Sequence, residues 1–296
     1  MNCTLCPREC GIDRNEKVGF CGVESKMQIA KIMLHKWEEP CICYGNGCGA
    51  VFFSGCQLKC IFCQNHNISF DCTGKEVTSD ELCQMFFDLE DKGACNIDLV
   101  SPTPHLEHLI PAMEKAKKQG LKIPFVYNSG GYEKAETLKR LDGLVDIYMP
   151  DFKFYTEKES HLLASAKDYA HKAKEAIREM HRQTRDPVWE NKILKKGVLI
   201  RHLVLPGFTD SSQRILEDLF QMLGKNGFVL SLMRQYTPNH KALGHPKLKR
   251  KLTTLEYDRV IGKASSLGFS YVITQKKESA DESFIPDFTV FSEDFR

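Results

Sequence analysis

Residues 55–65, GCQLKCIFCQN, constrain this chain more than any other stretch. Cys56, Cys60 and Cys63 form a C-x3-C-x2-C set there. Three thiolates on one short loop can hold three irons of a 4Fe–4S cluster, since thiolates are the usual ligands of such clusters. The run supplies no fourth cysteine, so a fourth iron would keep an open position for a ligand that is not protein. Soft sulfur also selects zinc or Cu(I), so a zinc loop and three packed thiols are the plainer readings. Residues 50–54, AVFFS, read as a short buried strand that delivers the loop. Phe62 puts an aromatic ring beside the third cysteine.

The chain has 296 residues, which suits one large α/β domain with an appendage. It carries 41 basic and 39 acidic residues, a net charge of +2, which leaves no footprint for nucleic acid or an anionic membrane. No apolar run approaches the length of a spanning helix and no signal peptide opens the chain, so a cytoplasmic protein is expected. All thirteen cysteines lie in the first 95 residues. An odd, one-sided, motif-spaced set argues for metal rather than disulfides, and for a reducing compartment. A cluster with an open iron is oxygen-sensitive, which points to an anaerobic setting.

Residues 1–49 form a cysteine-rich N-terminal segment. Cys3, Cys6, Cys10 and Cys21 are spaced C-x2-C-x3-C-x10-C. That spacing suits a structural zinc site of four thiolates, a second iron–sulfur cluster, or packed thiols without metal. Cys41, Cys43 and Cys48 sit in a glycine-punctuated loop and are read as structural. Residues 28–34 read as a strand that covers the barrel mouth or base. From residue 50 onward, apolar runs alternate with helical periodicity. Thr78 to Glu81 is a capping box ahead of Leu82, Met85, Phe86 and Leu89. Strands are expected over 96–100, 122–127, 145–149, 198–205, 228–233 and 269–274. Helices are expected from 106, near 133–141, over 159–184, 211–224 and 254–267. Such repetition predicts an α/β fold with a parallel sheet, a partial (β/α)6 TIM-type barrel over 50–275, its site at the C-terminal strand ends. Residues 276–296 form a tail over or beside the barrel.

The cysteine loop resembles that of the radical S-adenosylmethionine superfamily, C-x3-C-x-aromatic-C at the end of the first barrel strand. Stretches such as NIDLVSPTPH, VYNSGGYE, LDGLVDIYMPDFK and IRHLVLP are similar to a subfamily of pyruvate formate-lyase activating enzyme-like proteins, over nearly the full length. The resemblance implies a 4Fe–4S cluster whose open iron binds S-adenosylmethionine, and a reductant such as flavodoxin or ferredoxin. It also implies cofactor contacts. The Gly-Gly-Glu common at the second strand is replaced here by residues 101–104, SPTP, so recognition of the amino group passes to carbonyls near Ser101 or to Thr103. Asn128 and Ser129 end the third strand. Asp151 and Lys153 stand where the activating enzymes meet the carboxylate and ribose. His202 lies on the next long strand, and His240 resembles a histidine that closes the cofactor pocket. Phe62 and Asn65 flank the cluster loop.

Two radical reactions fit the resemblance: activation of a glycyl radical enzyme, or cleavage of a small molecule. A non-catalytic iron–sulfur or zinc protein is the third reading. No ferredoxin-like insertion is present, and the N-terminal cysteines with an aromatic tail (Phe284, Phe288, Phe291, Phe295) could seal the mouth. One activity placed in the subfamily is the lyase reaction that takes queuine to 7-aminomethyl-7-deazaguanine, a step of queuosine salvage. Glu38, Glu39, His105 and Tyr155 are the substrate-facing candidates.

Overall fold

The computed structural model describes residues 2–280, 286–288 and 291. Strand β1 (Gln28–His35) comes first, then β2 (Cys48–Phe53), α1 (His66–Phe70), the short β3 (Lys75–Glu76) and α2 (Ser79–Asp91). There follow β4 (Ile97–Val100), α3 (Leu106–Gln119), β5 (Phe125–Ser129), α4 (Ala135–Leu138) and β6 (Ile147–Pro150). Next are α5 (Glu157–Ala164), α6 (Tyr169–Thr184), β7 (Val188–Glu190), β8 (Ile193–Leu203), α7 (Thr209–Leu223), β9 (Val229–Met233), α8 (Thr254–Leu267) and β10 (Val272–Thr274).

The sheet order is β10-β9-β8-β6-β5-β4-β2-β1-β3, with β7 attached to β8. The run from β2 to β10 is parallel throughout. It makes six strand–helix units and a seventh, three-residue strand. No pairing joins β10 to β3 among the described residues, so the barrel is partial and keeps a lateral gap.

Successive side chains on a strand face opposite sides, and this alternation builds two layers. Phe53, Leu99, Tyr127, Tyr148, Ile200 and Leu230 face the helices and join the main core with Phe86, Met113, Ile177 and Leu216. Their neighbours Val126, Ile147, Met149, Leu199 and Val229 face inward and pack on Cys41 and Ile42. The segment between β1 and β2 therefore runs beneath the barrel and plugs it.

Two expectations are corrected. Residues 28–34 do not cover the mouth or base; β1 is an antiparallel strand laid along β2, so the sheet begins inside segment 1–49. The helix expected over 159–184 is two, because Ser165 caps α5 in the left-handed conformation at φ 54°. Of the four tail aromatics, Phe284 and Phe295 lie outside the described residues. Phe288 packs edge-on against Phe52, ring centres 5.3 Å apart, and Phe291 lies under the Lys75 ammonium. The capping box at Thr78 and Glu81 is present, and two more cap α5 and α8.

Candidate active site

The parallel strands all end on one side, and their loops enclose a cavity of about 800 Å3. Small-molecule sites span roughly 300–1,000 Å3, so this one is large. Cys56, Cys60 and Cys63 line one wall of it. Strand β2 ends at Phe53, and Gly55 turns the chain at φ 79°, where a Cβ would sit 2.8 Å from the Cys21 carbonyl oxygen. Only glycine fits such a turn without strain.

The N-terminal segment buttresses this loop from outside. The Cys56 N–H donates to the Cys21 carbonyl at 3.2 Å. Arg8 donates to the carbonyls of Gln57 (2.9 Å), Ala164 (3.2 Å) and Ser165. On the other flank the N–H of Ile61 donates to the Leu163 carbonyl, and that of Ala242 to the Ile61 carbonyl. The loop is thus fixed from three directions, as a preorganised site requires.

Burial pushes the Cys56 thiol up to about 12 and raises Cys60 and Cys63 as well. Such thiols stay protonated unless bound cations replace the protons. Three soft donors on one fixed loop, facing a roomy cavity, fit a 4Fe–4S cluster in which each thiolate takes a different iron. Among the described residues no three His, Cys, Asp or Glu side chains converge on a single metal ion. Cys3, Cys6, Cys10 and Cys21 form no disulfide; Cys10 and Cys21 flank Gly19, and burial raises Cys6 to about 12.

Opposite the cysteines the cavity is charged. Arg201 on β8 is its hub. The guanidinium donates from Nε to Asp151 Oδ1 (2.9 Å) and from Nη2 to Asn128 Oδ1 (2.6 Å), and it pairs with Glu38 Oε2 at 3.4 Å. Lys153 pairs with the other oxygen of Asp151. Burial alone would raise Asp151, but Arg201 and Lys153 outweigh it and hold the carboxyl below its ordinary range. The Tyr169 hydroxyl donates to Asp151 O (2.8 Å) and lies 2.9 Å from the carbonyl oxygen of Gly130. Gly131 sits between them at φ 76°, with space for a Cβ only 2.1 Å from Asp151 O. Gly131→Ala is therefore expected to cost roughly 2–4 kcal/mol, from left-handed strain plus overpacking. A urea titration checks this.

The cavity brings together Phe62, Asn65, Ser101, Asn128, Ser129, Asp151, Lys153, Glu38 and Glu39. Five other candidates lie elsewhere. His202 follows Arg201, so it faces the helices; it is buried between Phe152 O (2.6 Å) and Ser212 Oγ (2.9 Å), and burial lowers it to about 4. His105 stacks on Phe53 behind β2, 2.7 Å from Ser54 O. Tyr155 lies outside the barrel beneath the Arg214 guanidinium. His240 stacks on His66, ring centres 4.8 Å apart, beyond the cysteine loop. Thr103 is fully buried and committed to Glu133 Oε1 (2.8 Å).

That last contact belongs to a network the motifs did not announce. Gln57, next to Cys56, donates to Glu133 Oε1 and Thr103 Oγ1, both at 3.0 Å. Among the described residues Glu133 Oε2 and Gln57 Oε1 receive no donor within hydrogen-bond distance. Burial pushes Glu133 up to about 8 from an ordinary 4.5, against hydrogen bonds that lower it. The fold thus favours the protonated acid. Its contribution is complete below about pH 4.5 and is lost as pH rises towards 8. Glu133→Gln, neutral throughout, is expected to gain stability over the wild type as pH is raised through this window, measured by urea titration at each pH.

The sequence assigned no role to Arg201, which lines the cavity, or to Asp98, buried beneath it. Their signal is a charge inside an apolar strand run, in residues 198–205 and 96–100. Such a charge has to face an interior partner.

Residues 50–219 match the family described as the radical SAM superfamily. The chain is 30% identical over 271 residues to an uncharacterized protein, MJ0674, of Methanocaldococcus jannaschii, covering 88% of this chain and 73% of that protein. Its fold is similar to Streptococcus suis SuiB bound to S-adenosylmethionine, with a TM-score of 0.52 and 14% identity over 75% of this chain and 48% of that one. It is also similar to methylornithine synthase (PylB), with a TM-score of 0.50 and 15% identity over 71% and 59%. The chain thus spans about half the length of SuiB. No described helix is long and apolar enough to cross a membrane.

Proposed function

Because the chain belongs to the radical SAM superfamily, we propose that it is a radical lyase acting on a small molecule, with queuine as substrate and 7-aminomethyl-7-deazaguanine as product. The family uses a 4Fe–4S cluster and S-adenosylmethionine, and these, when bound, supply a 5′-deoxyadenosyl radical that takes a hydrogen atom from the substrate. Cys56, Cys60 and Cys63 hold the cluster. Phe62, Asn65, Ser101, Asn128, Ser129, Asp151 and Lys153 line the wall where the cofactor binds. Lys153, anchored by Asp151, offers a cation to the cofactor carboxylate. The cavity excludes bulk water from below, where residues 36–47 plug the barrel, and Pro286 of the tail borders it.

The observation that carries the small-molecule reading is the shape and lining of this cavity. Glu38, Glu39 and Asp151 line it together with Arg201 and Lys153, and Cys41 and Ile42 of the segment after β1 pack against the inner face of the strands below it. Working in the cytoplasm, the enzyme would draw electrons from flavodoxin or ferredoxin. The test uses anaerobically reconstituted, reduced protein with S-adenosylmethionine, with and without queuine. Queuine-stimulated 5′-deoxyadenosine together with the aminomethyl product, both seen by mass spectrometry, supports the lyase. Cleavage indifferent to queuine but stimulated by a glycyl radical enzyme makes the chain an activase.

A further inference from the structure

The cavity floor is built from two sources. Glu38 and Glu39 rise from the segment that plugs the barrel and line the cavity with Asn128 of β5 and Arg201 of β8, while Asp98 of β4 and Ser231 of β9 lie fully buried beneath them. Four carboxyls, those of Glu38, Glu39, Asp98 and Asp151, meet two cations, Arg201 and Lys153. Both cations are engaged by Asp151, and only Arg201 reaches Glu38. Glu39 is buried and accepts one hydrogen bond, from Ser231 Oγ to Oε1 at 2.7 Å; Oε2 has none among the described residues. Asp98 is fully buried, receives Asn128 Nδ2 on Oδ2 at 3.3 Å and is in hydrogen-bond contact with the Glu38 carboxyl. Burial holds Glu38, Glu39 and Asp98 above their ordinary range.

An acceptor left open in a buried site is costly unless it takes up a proton or a ligand brings the missing donor, and Glu39 offers its open oxygen from the cavity lining. We infer that this floor is the substrate-recognition site, and that it selects a heterocycle presenting paired N–H donors, such as the guanidine-like edge of a 2-aminopyrimidin-4-one. Glu39 accepts from that edge through its open oxygen. Glu38 supplies the second acceptor, held in place by Arg201. A paired N–H edge matches a carboxylate in the way a guanidinium does, whereas a phosphate or carboxylate ligand would meet only repulsion from Glu39. This inference deepens the lyase reading and rests on it for the identity of the substrate. Recognition by the floor can nevertheless be measured without turnover.

The experiment is calorimetric titration of reconstituted, cofactor-loaded enzyme with queuine, with guanine, and with 7-deazaadenine, which lacks the donor edge. The wild type should bind queuine and guanine and discriminate against 7-deazaadenine. Glu39→Gln, close to isosteric, should weaken queuine binding about tenfold or more, the loss expected for a buried charge-assisted hydrogen bond. Affinity for S-adenosylmethionine should be unchanged. If Glu39→Gln does not fold, Glu38→Gln serves, with a loss in the same direction. Unaltered queuine affinity in a folded variant, equal binding of 7-deazaadenine, or no binding of either edge-bearing base overturns the inference. Binding of guanine with the same Glu39 dependence, but not of queuine, keeps the floor and discards queuine as the substrate.

Discussion

Cys60→Ala leaves the reconstituted protein with background iron, without sulfur-to-iron absorbance and with no production of 5′-deoxyadenosine. Cys60 is the most buried of the three loop cysteines and stands between Cys56 and Cys63 on a loop fixed by Arg8, Leu163 and the Cys21 carbonyl. A rigid loop cannot bring another donor in to replace it. The protein still folds, because the change removes one small side chain and no hydrogen bond on which the loop depends. Circular dichroism checks that the fold survives. Cys83→Ala is the control: Cys83 is buried in α2 against the main core, away from the cavity, and its loss should leave iron content and activity intact.

Arg201→Ala has the second largest expected effect, and it falls on stability and cofactor binding together. Removing the guanidinium leaves two largely buried carboxyls short of a partner, Asp151 with Lys153 alone and Glu38 without a cation. Breaking a buried ion pair from one side costs about 3–5 kcal/mol. For a chain of this size that is a fall in melting temperature of roughly 5–10 °C. Affinity for S-adenosylmethionine should fall as well, since Asp151 no longer has a fixed position from which to orient Lys153. Arg201→Lys should recover part of the stability, because it restores the charge but not the fork that reaches Asp151, Asn128 and Glu38 at once. Differential scanning calorimetry and cofactor titration read the two effects separately.

The cysteine loop, its delivering strand and the alternation of strands with helices are legible in the sequence because each is local. Spacing defines the thiol set, and period defines the elements. The floor of the cavity is not local. Glu38 and Glu39 reach Arg201 and Ser231 only because the segment after β1 turns under the barrel, a path no short-range pattern encodes. Histidines misled for a related reason. His202 and Arg201 are adjacent on one strand, so they face opposite sides; the arginine takes the cavity and the histidine the helices. Thr103 resembled a cofactor contact from its position after β4, but Glu133 and Gln57 claim its hydroxyl. Ser165 broke a helix whose periodicity ran on across it, since a single left-handed residue leaves little trace in an amphipathic pattern.

The central claim is that three thiolates hold a cluster with one iron free for S-adenosylmethionine. Electron paramagnetic resonance of the dithionite-reduced, reconstituted protein, recorded with and without S-adenosylmethionine, tests it most directly. The wild type should give the signal of a reduced 4Fe–4S cluster whose g-values change on adding the cofactor, and Cys60→Ala neither signal nor change. A well-loaded cluster whose spectrum is identical with and without S-adenosylmethionine would contradict it.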